Sequence, residues 1–446
     1  VITSSAFAGK IFAVLGLARS GLAAVDSLLA GSAHVVAWDR QDSARQQVEG
    51  KAHLADPLAI DLAGFDGVVV SPGVPLNTHP IAERARRAGV PLIGDVELFA
   101  LARSELPPHR VIGITGTNGK STTTALVCHL LQGAGLPAAM GGNIGLPILD
   151  QEPLEPNARG AGVYVLELSS YQIDLTRSLA CEAAALTNIT PDHLDRYDGF
   201  DAYAASKARL FALQQPEQLA VFGCGDAPTR AIREAESARR TPGRAVCIDK
   251  AALAPYQKDW LSLQGPHNLE NAAVAAALVE DMGLIRQQVL EGLASFRGLS
   301  HRMEVLGTFD DVLVINDSKA TNPASTAPAL AAFPPNPGRR IHWILGGLPK
   351  TDSLAECEPF FGNVAAAYTI GEAGPHFADL LAPHTHVERC ELLSEATCRA
   401  LDAARPGEVV LFSPACASFD QFRNFEIRGD TFRDFVRSRT EGATVR

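Results

Sequence analysis

Three times along this chain a short apolar run ends in a turn rich in Gly, Asn or Asp and gives way to an amphipathic helical pattern. Strands alternating with helices in this way read as α/β. The first set is KIFAVLGL (10–17), HVVAWD (34–39) and GVVVSPG (67–73), with a helix over Leu22–Leu29. The second is RVIGITG (110–116), VYVLEL (163–168) and AAALTNI (183–189), with helical patterns at 201–213 and 268–282. The third is VLVIND (312–317), IHWILGG (341–347), AAYTIG (366–371) and EVVLFSP (408–414), closing with a helix over roughly 420–438. Two prolines in SELPPHR (104–110) mark a linker, and a second boundary falls near SFRGLSHRM (295–303). At roughly 150 residues per domain, 446 residues accommodate three domains.

The turn opening the second set, VIGITGTNGKSTTT (111–124), departs from the strict phosphate loop, in which a Gly precedes four free residues and Gly-Lys-Ser/Thr. Counting back from Lys120, the first Gly should stand where Ile114 does. Gly116 and Gly119 nevertheless frame the chain ahead of Lys120 and Ser121. Phosphate binding requires successive backbone N–H groups at a helix start, a Lys charge over the outer phosphates and a hydroxyl for Mg²⁺. TGTNGKSTT, between strand RVIGI and helix TTALVCHLLQ, supplies all three, more than a Gly-rich turn with an incidental Lys would explain.

A metal on nucleotide phosphates also needs hard oxygen ligands from neighbouring strand ends. Glu167 is placed for this in VYVLELSSYQ, because a carboxylate inside an apolar strand is costly unless it meets a cation; the alternative is a solvated strand end. LTNITPDHLDRY (186–197) presents Asp192, His193 and Asp195 in a polar loop, where a single His is usually a surface residue. Lys207 in AYAASKARLF, and Asn268 with Asn271 spaced i, i+3 on one helix face, carry little alone.

GLARSG (16–21) fits G-x-G-x-x-G except for Ala18 in the middle, and Asp39 follows at the end of the next strand. This is similar to a dinucleotide fingerprint. A methyl where the backbone must approach a pyrophosphate weakens the case for NAD, while the helix start and Asp39 still suit a nucleotide-like anion. A plain tight turn explains the stretch as well, and Asp39 and Arg40 read equally as a solvated strand end.

A net charge of -11 and a pI near 5.6 provide no electrostatic reason to expect nucleic acid or an anionic membrane as partner. No apolar run approaches a membrane span. Eight cysteines without a C-x-x-C pair read as reduced thiols. Arg19 ends the apolar run IFAVLGL too early for a signal peptide, so the cytoplasm is the expected compartment.

TGTNGKSTT, ELSSYQ, TNITPDHLD, YAASKARL, GPHNLENA, SHRME and NDSKATNP, in this order over nearly the whole chain, resemble the Mur ligases, the ATP-dependent amino-acid ligases of peptidoglycan precursor synthesis. The shifted Gly is that family's own form of the loop. SPGVP (71–75), GGNIG (141–145), NDSKATN (316–322) and above all SPACASFDQFRNFEIRG (413–429) are similar to the branch that adds D-glutamate to UDP-N-acetylmuramoyl-L-alanine.

The resemblance implies an α/β protein of three domains: an N-terminal Rossmann-like domain (1–104) for the uridine diphosphate, a central P-loop ATPase-like domain (105–303) and a C-terminal Rossmann-like domain (304–446) for the amino acid. Arg19, Ser20, Asp39, Arg40, Ser71 and Gly73 match positions on the UDP group, and Asn143 a sugar-substrate contact. Gly116, Thr117, Asn118, Gly119, Lys120, Ser121 and Thr122 would hold ATP, with Asn271, Arg302 and Asp317 matching contacts to adenine, phosphate and ribose. In the implied catalytic set Lys120 neutralises the outer phosphates, Ser121 and Glu167 hold the nucleotide Mg²⁺, and His193 helps hold a second. Lys207 matches a position that the family carries as a carbamate, which would complete the metal surroundings. For D-glutamate the resemblance assigns Lys350 as the cation, Thr321 and Ser418 as donors, and Phe419 with Phe425 as a wall; the alternative, aromatic residues that are only core of the last helix, suits Phe422 better than Phe425. GGLPK (346–350) departs from the family's commoner polar middle and implies a stiffer loop. A monomer is expected.

Overall fold

A computed structural model describes residues 1–192 and 195–440. His193, a sequence candidate, lies outside the described residues. The chain divides into two compact units, Val1–Lys250 with Glu270–Gly292, and Ala251–Leu269 with the chain from Leu293 onward.

The first unit contains two parallel sheets. One comprises Ile11–Leu15 (β1), His34–Trp38 (β2), His53–Leu54 (β3), Gly67–Val70 (β4) and Leu92–Ile93 (β5), in spatial order β3-β2-β1-β4-β5. The order reverses between β1 and β4, so GLARSG, directly after β1, stands at the point where an open α/β sheet has its crevice. The other comprises His109–Thr115 (β6), Ala138–Gly142 (β7), Gly162–Glu167 (β8), Ala183–Leu186 (β9), Leu219–Phe222 (β10) and Ala245–Cys247 (β11), in order β11-β10-β9-β6-β8-β7. Its central strand β6 pairs with β8 and β9, which brings the loop after β6, Glu167 and Thr187 to one sheet edge. The two sheets share a core in which Phe12 and Val25 belong to the same buried cluster as Tyr164 and Leu166. Helix Asp95–Ala102 joins them. Its Phe99 meets the Tyr164 ring edge-on at 5.2 Å, and its Glu97 accepts from the Arg177 and Ser178 amides.

The second unit contains Glu304–Phe309 (β12), Val312–Asn316 (β13), Ile341–Gly346 (β14), Val364–Ile370 (β15), His386–Glu391 (β16) and Val409–Phe412 (β17), in order β12-β13-β17-β14-β15-β16. All pairs are parallel except β12 with β13. Alternation along β14 fills two cores: Trp343 and Leu345 pack with Phe377 on one face, and Ile344 with Tyr368, Phe412 and Phe432 on the other. Burial on both faces is why this strand reads as a continuous apolar run.

Two expectations are corrected. Cys224 and Cys247 are joined by a disulfide, while Cys128, Cys181, Cys357, Cys390, Cys398 and Cys416 are free thiols. Spacing could not reveal the pair, because 23 residues separate two cysteines that parallel pairing of β10 with β11 sets side by side. The closing helix runs Phe425–Thr440 and begins later than its apolar pattern, since Asn424 accepts from the Ile427 amide and caps it there. Among the described residues no helix is long and apolar enough to cross a membrane.

Candidate active site

The nucleotide loop links β6 to helix Lys120–Gly133. Its glycines are required by crowding as well as by conformation. Gly116 has φ 147° and a Cβ there would lie 1.9 Å from Thr187 Oγ1; Gly119 has φ 83° and a Cβ there would lie 2.3 Å from Asn271 Oδ1. Thr117 and Asn118 donate their amides to the main-chain and side-chain oxygens of Asn188, at 2.8 and 2.9 Å. Asn188 thus sets the loop's shape, and the helix start, where the macrodipole is positive, is the part of the loop suited to an anion. Ser121 is buried in that first turn and Thr122 is half-buried beside it.

Lys120 Nζ donates to Gly116 O at 3.0 Å and Thr117 O at 2.8 Å. Lys207, only 2% exposed, reaches the same Gly116 oxygen from helix Phe200–Ala212 at 2.8 Å. Burial, and secondly the charge on Lys120, bring the Lys207 amine down to about 7, because a desolvated ammonium beside a like charge is disfavoured. A large neutral fraction near pH 7 follows, and a neutral amine is the form that adds CO₂.

Glu167 ends β8, 2% exposed. Oε1 accepts from Asn143 Nδ2 at 3.0 Å, whereas Oε2 is buried with no hydrogen-bond partner among the described residues. An orphaned carboxylate oxygen in the interior is expensive, and a hard divalent cation removes the deficit. Together with the Ser121 hydroxyl at the same sheet edge, this donor set fits Mg²⁺.

At the first turn, Asp39 Oδ2 accepts from the Leu17 amide at 2.7 Å and Oδ1 from the Gln41 amide at 2.9 Å, so this carboxylate braces GLARSG. Ser71 Oγ donates to Gly16 O at 2.8 Å. Arg19 donates to Gly145 O, tying the turn to the GGNIG loop that carries Asn143. Ser20 is half-buried, while Arg40 and Gly73 are exposed.

In the second unit, Lys350 Nζ donates to Thr321 Oγ1 at 3.1 Å, uniting two of the residues expected at D-glutamate. Leu348 and Ala417 exchange main-chain hydrogen bonds at 3.0 and 2.9 Å, fastening GGLPK to the loop of Ser418, which is buried. Phe419 is 69% exposed. Phe425 lies edge-on to His301, with Lys319 Nζ over its ring at 5.2 Å, and Phe422 packs against the core. Asp317 accepts from the Met303 amide at 3.1 Å and Ser413 Oγ at 2.7 Å. Its burial raises the carboxyl to about 7. Arg302 is half-buried in the turn before β12.

Residues 114–254 match the Mur ligase middle domain, and residues 301–416 match the Mur ligase glutamate ligase domain. Over 99% of this chain and 97% of the relative, the sequence is 63% identical to a UDP-N-acetylmuramoylalanine–D-glutamate ligase of Novosphingobium aromaticivorans. The chain belongs to the Mur ligase family. This Mur ligase is also 57% identical to the correspondingly named protein of Sphingopyxis alaskensis, over 98% of this chain and 99% of that one. Its fold is similar to that of UDP-N-acetylmuramate-alanine ligase from Thermotoga maritima, with a TM-score of 0.55 at 18% identity over 96% of this chain and 99% of that chain.

Sequence reasoning missed three residues that shape this Mur ligase. Thr187 donates to Asn118 O at 2.6 Å and Asn188 holds two loop amides; their position at the end of an apolar strand, in LTNIT, is the available signal. Arg428, 1% exposed, donates to the main-chain oxygens of Ser318, Cys416 and Ala417, cross-linking NDSK to SPACAS. Arg428 is one of several arginines in FRNFEIRGDTFRDFVRSR, so the sequence offers no signal that singles it out.

Proposed function

We infer that the chain is an ATP-dependent, ADP-forming ligase that joins D-glutamate to UDP-N-acetylmuramoyl-L-alanine in peptidoglycan precursor synthesis. The observation that carries this is 63% identity, over 99% of the chain, to a relative bearing that activity in its name. The nucleotide loop and the orphaned Glu167 oxygen support the ATP-dependent part.

A carboxylate resists attack by an amine. Transfer of the ATP γ-phosphoryl group to the L-alanyl carboxylate makes an acyl phosphate, and the D-glutamate amine displaces phosphate from it through a tetrahedral intermediate. Phosphoryl transfer depends mainly on positioning and charge neutralisation. Lys120 swings from its own loop carbonyls to the outer phosphates. Ser121 and Glu167 would hold Mg²⁺, which would supply neutralisation of the phosphate charge, and His193 would help hold a second. Lys207 would be carbamylated in the working enzyme, becoming an anion that could help hold that metal. Asn271, Arg302 and Asp317 take the nucleoside and phosphates, Arg19, Ser20, Asp39, Arg40, Ser71, Gly73 and Asn143 the nucleotide sugar, and Thr321, Lys350, Ser418, Phe419 and Phe425 D-glutamate. We assign 1–104, 105–303 and 304–446 to the nucleotide sugar, ATP and D-glutamate respectively; the presence of three separate sheets supports this. The enzyme works in the cytoplasm as a monomer.

Phosphate release with ATP, Mg²⁺ and UDP-N-acetylmuramoyl-L-alanine, across a panel of D- and L-amino acids, tests the reading. Release is expected with D-glutamate; a preference for another amino acid sinks it.

A further inference from the structure

Cys224 and Cys247 take no part in the machinery above, yet their disulfide lies beside it. Phe222 at the end of β10 pairs with Cys247 at the end of β11, and the two cysteine Cα atoms are 5.8 Å apart. Glu270 stands between this staple and the nucleotide loop. On one side, a Cβ added to Gly223 would lie 2.9 Å from Glu270 Oε1 and 1.9 Å from Thr187 O, so the segment entering Cys224 is packed hard against both. On the other, Lys250, shortly after Cys247, pairs with Glu270 Oε2 at 3.2 Å. The next residue, Asn271, is the one that closes on Gly119. Cys224 itself has φ 57°, a conformation that a non-glycine residue keeps only when its surroundings hold it. Cys247 is exposed and Cys224 half-buried, so the pair lies at the surface.

We propose that Cys224 and Cys247 form a reversible thiol–disulfide modification site whose closure strengthens ATP binding, by holding the segments on both sides of Glu270 and thereby Asn271 against the nucleotide loop. The inference rests on ATP being the nucleotide bound there. In closure the Cys247 thiolate attacks a low-molecular-weight disulfide, forming a mixed disulfide and releasing one small thiolate. The Cys224 thiolate then attacks the Cys247 sulfur and releases the second. The two protein thiols lose two electrons and two protons, and the small disulfide is reduced to two thiols. Opening is the reverse, with a small thiol as reductant. A site of this kind reconciles the observed bond with a chain whose other described cysteines are free thiols.

The test equilibrates the full chain with glutathione and glutathione disulfide at set ratios. Thiol alkylation with peptide mass analysis then reads the bond, and fluorescence titration with a nucleotide analogue reads the Kd. Reduction is expected to open this pair and raise the nucleotide Kd and the KM for ATP several-fold, leaving the KM for D-glutamate unchanged. Cys247→Ser should bind nucleotide like the reduced protein in every buffer. The proposal is overturned if both cysteines remain alkylatable under excess glutathione disulfide, or if the bonded and open forms bind nucleotide equally. Nucleotide affinity is read without turnover, so a redox-dependent Kd in a protein that ligates no D-glutamate would refute the functional reading and leave this one standing.

Discussion

Lys207 and Lys120 donate to one carbonyl oxygen, that of Gly116, at 2.8 and 3.0 Å. Two amines converging on a single buried acceptor cannot both hold a full charge comfortably, and the more deeply buried one yields. Lys207 has its pKa lowered from 10.5 to about 7, so the neutral fraction grows as pH rises through that value. Since carbamylation consumes the neutral amine, ligation should fall as pH drops below about 7 and when bicarbonate is stripped from the buffer. Lys207→Arg should be inactive although it keeps a positive charge. Initial rates against pH, with and without bicarbonate, check this; a fully active Arg variant would make Lys207 structural.

Glu167→Gln preserves an oxygen for Asn143 but replaces the unpartnered carboxylate oxygen with an amide. The variant should need far more Mg²⁺ for half-maximal rate, with a drop in kcat of about 10²-fold, the size seen when one preorganised charge partner of a reacting group is lost. A Mg²⁺ titration of phosphate release reads both, and an unaltered Mg²⁺ requirement would remove Glu167 from the metal site.

Lys120→Ala should abolish ligation, because the transferring phosphoryl oxygens lose their compensating charge. Its thermal transition should move little, since the hydrogen bonds from Lys120 Nζ to the Gly116 and Thr117 carbonyls stay within the loop itself. Wild-type turnover in this variant would rule out the phosphate-loop assignment.

Lys350→Ala should chiefly raise the KM for D-glutamate, by an amount equivalent to roughly 2–3 kcal/mol for one charge-assisted contact, with ATP and the nucleotide sugar nearly unaffected. Steady-state kinetics varying each substrate in turn are the measurement. A raised KM for ATP alone would relocate Lys350 to the nucleotide.

Asp317 is raised from 3.8 to about 7 by burial, so the folded chain keeps a proton that the unfolded chain has lost between those values. Its contribution to stability is complete below the unfolded pKa and declines as pH rises through the folded one. Asp317→Asn, which can still accept from Met303 and meet Ser413, should flatten that decline. Urea midpoints across the same pH window test it, and an identical pH slope in the variant would assign the proton elsewhere.

What this sequence determined by itself was local and ordered. Strands such as VYVLE and IHWIL, buried on both faces, announce themselves as apolar runs, and TGTNGKSTT after a strand specifies an anion-binding helix start wherever the fold puts it. Short or polar edge strands, HL at 53–54 and HVERCE at 386–391, carry no such pattern and escaped notice, because an edge strand buries too little to impose one. Tertiary structure alone decided what meets across the sheets: that Lys207, far along the chain, bonds to the carbonyl Lys120 uses; that Arg428 links two loops; that Asp39 and Ser71 brace a turn; that Cys224 finds Cys247. The turn braces and the disulfide depend on strand order and parallel register, and the Lys207 and Arg428 contacts on helices that reach loops distant in sequence, none of which leaves a trace in spacing along the chain.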